Sequence, residues 1–175
     1  MIMTPQQNTI ISLLETNDIT IGYLNNKLIE FGYYNPIKKR DYEWDKLYQL
    51  RKRVEKDNIY NSVLREYFPR IMFGRQKGHT TAIAEFIGNN TDLKIGVMFP
   101  VKTHYETLIR KLKDNGTNTN NVFWVRKDDS LNGLRGLKLD YIIIDTYGSI
   151  GLSQKDFESM LFISKDDIRI AGVGN

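Results

Sequence analysis

The chain of 175 residues has no cysteine, which excludes disulfides and thiolate metal centres and leaves the redox compartment open. Only two histidines occur, His79 and His104, too few for a histidine-rich zinc centre. No apolar run approaches the roughly 20 residues that cross a bilayer, and Met1 to Gln7 lack the basic-then-apolar pattern of a secretory leader. The expected location is therefore the cytoplasm, with no membrane partner. Charge of neither sign dominates: 25 basic against 21 acidic side chains give a net +4, which permits an anionic partner without demanding one. What the chain does have is 41% hydrophobic residues, enough for one compact domain and a modest appendage.

Two rhythms divide the sequence near Pro69. Before it, apolar residues recur at helical spacing. Thr4-Pro5 reads as an N-cap with a first-turn proline ahead of Ile10, Ile11, Leu13 and Leu14. Ile21, Leu24, Leu28 and Phe31 form a second stripe that Gly32 can stop, and a longer helix is expected from about Tyr42 to Tyr67, with Asp57-Asn58 as a potential break. After Pro69, strands alternate with helices. Strands are expected at Arg70 to Phe73, Lys94 to Phe99, Val122 to Val125, Tyr141 to Ile144 and Ile168 to Val173, and helices at Thr80 to Ile87, His104 to Leu112 and Gln154 to Phe162. That alternation predicts an α/β fold, a mostly parallel five-stranded sheet flanked by helices, at 69–175, behind a helical N-terminal subdomain at 1–68.

Phe73-Gly74-Arg75-Gln76-Lys77-Gly78-His79-Thr80-Thr81 is the most informative stretch, since a short apolar run feeds a Gly-rich turn that opens into a helix. The phosphate-binding pattern G-x-x-x-x-G-K-[ST] puts backbone N–H groups and a helix N-terminus around phosphate, a lysine on its charge and a hydroxyl on Mg²⁺. Gly78 and Thr80 fall on the second glycine and the hydroxyl, whereas Phe73 stands at the first glycine and His79 at the lysine. Gly74, Gln76, Lys77, Gly78, His79, Thr80 and Thr81 are thus the candidate residues for a nucleotide, ATP or another NTP. Further on, the apolar run Tyr141 to Ile144 ends in Asp145. A carboxylate at the C-terminal end of a buried parallel strand sits where open α/β sheets bind ligands. Thr80 and Asp145 are the candidate Mg²⁺ ligands.

These segments resemble the ATPase domain of phage large terminases and related helicase-like P-loop NTPases. Gly74 to Thr81 is similar to the terminase phosphate loop, Leu134 to Asp145 to the Arg-Gly lead-in and metal-binding strand, and Ile168 to Asn175 to a later strand and turn that couples hydrolysis to motion. The likeness covers about the C-terminal three-fifths of the chain. It implies a P-loop NTPase fold, ATP and Mg²⁺ as ligands, DNA or a protein as partner, homo-oligomers as a further option, and a phage origin with residence in the host cytoplasm. It departs from the family at His79 and at Thr146, which stands where the family places a catalytic glutamate.

The chemistry follows residue by residue. A free histidine titrates near 6.5, so His79 offers mainly a neutral imidazole at neutral pH, and Lys77 or Arg75 would have to supply the missing cation. Arg75 is the candidate for stabilising charge on a γ-phosphate, and Asp145 completes the catalytic pair. Thr146 cannot act as a base, so hydrolysis is expected to be weak or partner-dependent unless Asp140 or Glu158 substitutes. Two rival readings remain. One is a non-catalytic interaction protein that retains the fold. The other is a DNA-binding module using the N-terminal helices, with Asn25, Asn26 and Lys27 facing DNA, or Tyr33, Tyr34, Tyr42 and Trp44 stacking on bases beside Lys38, Lys39 and Arg40.

Overall fold

Strands with unbroken apolar runs cannot sit at a wet surface, and two such strands, Ile95–Phe99 and Tyr141–Asp145, are buried along their whole length. The computed structural model describes residues 2–33, 46–74, 78–126, 137–147, 152–163 and 167–174. In chain order the elements are α1 (Pro5–Thr16), α2 (Ile21–Glu30), α3 (Lys46–Tyr67), β1 (Arg70–Ile71), α4 (His79–Asn89), β2 (Ile95–Phe99), α5 (Lys102–Asp114), β3 (Val122–Arg126), β4 (Tyr141–Asp145), α6 (Gln154–Ile163) and β5 (Arg169–Val173). The strands form one five-stranded sheet in the order β1-β5-β4-β2-β3, and every pair is parallel. The expected strands and helices after Pro69 all appear, each shifted by no more than a few residues. In the helical stretch before it, Asp57-Asn58 does not interrupt α3.

Contacts divide the chain into two units, Met1–Ile21 with Pro69–Asn175, and Gly22–Phe68. The first helix therefore belongs with the sheet, whereas its amphipathic pattern had placed it with the helices at 1–68. The reason lies in what it covers. Ile10 and Leu14 of α1 join Ala82, Ile83, Phe86 and Ile87 of α4, Leu108 and Leu112 of α5, and Ile95, Val97, Phe99, Tyr141, Ile143, Ala171 and Val173 of the sheet in one core cluster. Period two assigns those strand residues to a single face. Met98, Ile142, Ile144 and Ile170 face the other way and are equally buried. The chain runs one way across the sheet through α4 and α5 and returns through α6, so right-handed crossovers place α6 on that second face.

The outer edge of β5 is covered by two separate pieces of the first unit. Only Arg70 and Ile71 of β1 pair with it, at Gly172 and Val173. Its first half is met instead by residues 19–21: Thr20 bridges Arg169 antiparallel, Ile170 N–H donates to the Ile19 carbonyl at 3.1 Å, and Ile21 N–H to the Ile168 carbonyl at 2.9 Å. The chain leaves this edge at Ile21 and returns to it at Pro69, whose carbonyl accepts from Gly172 N–H at 2.9 Å. The segment Gly22–Phe68 is thus an insertion between two pieces of one strand edge. Its own core comprises Leu24, Leu28, Tyr33, Tyr60, Val63, Leu64 and Phe68. Tyr33, one of the residues weighed for base stacking, is 2% exposed and packs on Tyr60 with ring centroids 5.7 Å apart. Tyr34, Tyr42, Trp44, Lys38, Lys39 and Arg40 lie outside the described residues.

Asn17, immediately after α1, locks this edge. Its Nδ2 donates to Tyr141 Oη and to the Ile170 carbonyl, both at 3.0 Å, and its Oδ1 accepts from Ile19 N–H at 3.0 Å. Burial pushes the Tyr141 phenol up to about 12, so it stays protonated at any physiological pH. Replacing Asn17 by alanine strands a buried hydroxyl and a buried carbonyl together. Urea denaturation is expected to show Asn17→Ala destabilised by about 2–4 kcal/mol, and Tyr141→Phe, which leaves the Asn17 bond to Ile170 intact, by about 1 kcal/mol. Equal losses in the two variants would show that Asn17 does not hold the edge.

Candidate functional site

In an all-parallel sheet every strand delivers its C-terminal end to the same edge. The turn after β1 and Asp145 at the end of β4 therefore share that edge, with only β5 between them. Two strand spacings separate them by about 10 Å. Gly78 closes the turn as the N-cap of α4 with φ 73°, a left-handed conformation that a side chain resists. His79, Thr80 and Thr81 form the first turn of α4. Gly74, at the start of the turn, is exposed. Arg75, Gln76 and Lys77 lie outside the described residues, as does Arg135.

Gly78 is also where α1 meets the turn. A Cβ built there would collide with the Gln7 side chain, and Gln7 Nε2 donates to the Gly78 carbonyl at 3.4 Å. Gln7 Oε1 accepts from Thr4 N–H at 2.9 Å while Thr4 Oγ1 accepts from Gln7 N–H at 3.2 Å, so the capping box of α1 and the turn share one side chain. The sequence carries the capping pattern but no sign of its second partner, 71 residues away.

His79 does not project as a lysine would. Its ring is half-buried, its Nε2 is enclosed with no hydrogen-bond partner among the described residues, and burial lowers its pKa, so it is neutral at pH 7. Its Nδ1 lies 3.5 Å from the position a Cβ on Gly174 would take. Gly174, just past β5, has φ 104° and sits so close to Thr146 that the same Cβ would approach the Thr146 backbone at 3.0 Å. His79, Thr146 and Gly174 are thus in one neighbourhood, brought together from the ends of β1, β4 and β5. Thr81 faces elsewhere: its hydroxyl accepts from Lys111 Nζ of α5 at 3.2 Å, a tie between two helices.

Asp145 is 6% exposed. Burial raises its pKa from 3.8 to about 6, while a hydrogen bond from Thr146 N–H and the charge of His104 act in the opposite direction. The Thr146 bond is short, 2.7 Å to Asp145 Oδ1, and Thr146 holds φ 58°, which costs a β-branched residue roughly 1–3 kcal/mol. His104, considered in the sequence only for zinc, is the histidine whose charge reaches Asp145. Asp140 is removed as an alternative base, because it lies at the opposite end of β4 and its Oδ2 accepts from Lys94 N–H at 2.8 Å. Tyr147 packs across Gly172 of β5, where any Cβ would meet its ring.

Among the described residues no group of three histidine or acidic side chains could cage a metal. Thr80, in the first turn of α4, and Asp145, at the end of β4, carry oxygen donors of the kind Mg²⁺ takes. A shallow groove lined by Asn8, Ser12, Thr16 and Ile71 includes none of these residues.

Two outcomes test this geometry. Because the folded-state pKa of Asp145 is raised, its contribution to stability is full below pH about 3.8 and is lost as pH rises through about 6. Asp145→Asn is therefore expected to be neutral at pH 4 and stabilising by up to about 3 kcal/mol at pH 8 in urea melts. A gain that does not change with pH would refute the buried carboxylate. Gly78→Ala is expected to lose about 2–3 kcal/mol from left-handed strain and the clash with Gln7. Adding Gln7→Ala should recover part of it, and strict additivity in this double-mutant cycle would break the proposed contact. No protein-family model matches this chain, and no curated protein matches it.

Proposed function

We propose that the chain is a P-loop-type nucleotide-binding protein, similar in plan to the ATPase core of phage terminases and helicases, with weak or partner-dependent hydrolysis and a role in DNA transactions. The observation that carries this reading is the shared sheet edge: a turn ending in left-handed Gly78 at a helix N-terminus, two strands from a buried aspartate. The amides around Gly78 and the positive end of α4 suit phosphate oxygens. The enclosed Nε2 of His79 is a polar atom in need of a partner, and a phosphate oxygen or ribose hydroxyl would provide one. Mg²⁺ bound with the nucleotide would supply charge neutralisation; Thr80 and Asp145 would hold it. Arg75, Gln76 and Lys77 are the residues that the resemblance assigns to gripping phosphate, with Arg75 the candidate for stabilising charge on the outermost group.

Hydrolysis needs more than binding. Thr146 offers no base beside Asp145, and neutral His79 offers no permanent cation, so the site favours holding a nucleotide over turning it over. The same two residues favour the second reading, an interaction protein that keeps the fold without the chemistry. Nucleotide binding divides the two.

Titration calorimetry with ATP and Mg²⁺ is expected to give a single site, weakened roughly tenfold in Thr80→Ala, the effect of losing about 1.4 kcal/mol of contact. Absence of binding at millimolar nucleotide would defeat the proposal. His79→Lys with Thr146→Glu is expected to raise steady turnover above wild type, and Asp145→Ala should abolish whatever turnover exists.

A further inference from the structure

The face of α2 that points away from its own core carries an unusual set of side chains. Leu24 and Leu28 are fully buried, whereas Tyr23 is 38% exposed and Phe31, in the turn after the helix, 51% exposed. Tyr67 of α3 joins them, its ring centroid 6.4 Å from that of Tyr23 and 6.0 Å from that of Phe31. Lys27 lies over two of these rings, with Nζ 5.5 Å from the centroid of Tyr23 and 5.0 Å from that of Tyr67. It also donates to Glu30 at 3.2 Å. Two exposed aromatic side chains on one patch exceed what a solvated helix face requires.

We infer that this patch is the contact between two copies of the chain, packed as antiparallel α2 helices. Charge selects that occupant. The patch holds one base and one acid, Lys27 and Glu30, side by side, so its local charge is balanced. A polyanion would be repelled by Glu30 as much as drawn by Lys27. A two-fold partner fits both signs at once. When two α2 helices run antiparallel about a point between residues 28 and 29, Lys27 of each copy lies opposite Glu30 of the other. The Tyr23 and Phe31 rings flank those pairs. Such an isologous contact needs no second surface, because the same residues serve both sides. The aromatic residues on either side of these pairs provide the apolar area, and the lysine stem covers ring faces. A single helix face lies at the small end of stable interfaces, so association in the micromolar range is expected.

The pairing is independent of the nucleotide site, and its test uses the full chain without nucleotide. Sedimentation equilibrium across the micromolar range is expected to show a monomer–dimer equilibrium, weakened at least about tenfold by Phe31→Ala. K27E and E30K alone should each be monomeric, with helix content unchanged by circular dichroism. Mixed in equal amounts, they should dimerise, since the acidic face of one meets the basic face of the other. Repulsion within each helix persists in that mixture, so recovery reports contact between copies and nothing local. A wild-type monomer at every concentration overturns the inference. So does a dimer indifferent to Phe31→Ala, a mixture that stays monomeric, or a monomer that binds oligonucleotides through Tyr23 and Phe31.

Discussion

The insertion of β5 between β1 and β4 is the constraint on which the site depends. Parallel strands all end at one edge, but the strand order decides which ends are neighbours. With β5 in place, the turn that opens α4 and the carboxylate of β4 stand two strand spacings apart on that edge. Gly172 and Gly174 allow this. The first leaves room for the Tyr147 ring, and the second lets the β5 end pass beside Thr146 and His79.

Much of the α/β frame was legible in the sequence, because its signals are local. Apolar runs such as Tyr141 to Ile144 are too short and too continuous for a surface helix, and their alternation with helical stripes leaves few arrangements besides a parallel sheet. The membership of α1 was not legible. Ile10 and Leu14 announce an apolar stripe, but nothing in a stripe says which surface will cover it. Asn17 and Gln7 are harder still. Each is an ordinary polar residue whose role comes from partners far along the chain, Tyr141 and Gly78. The left-handed backbone at Thr146 runs against the preference of its own residue type, so only the tertiary setting could reveal it.

Electrostatically, the candidate site lacks the opposite charges that a working phosphate loop usually presents: desolvation keeps His79 neutral at pH 7 and raises Asp145 to about 6, so the carboxylate is ionised there only against a cost of burial. A cation placed beside Asp145 would lower its pKa again.

The pairing of Arg70 with Gly172 and Ile71 with Val173 joins segments roughly a hundred residues apart, and no two described strands that are consecutive in the chain form a hairpin. Few contacts are available early in folding. The β4 edge stays open until β5 docks, leaving Ile142 to Asp145 free to pair with another nascent chain. Slow refolding and loss to aggregates at high concentration are the kinetic cost of gathering one edge from such distant pieces.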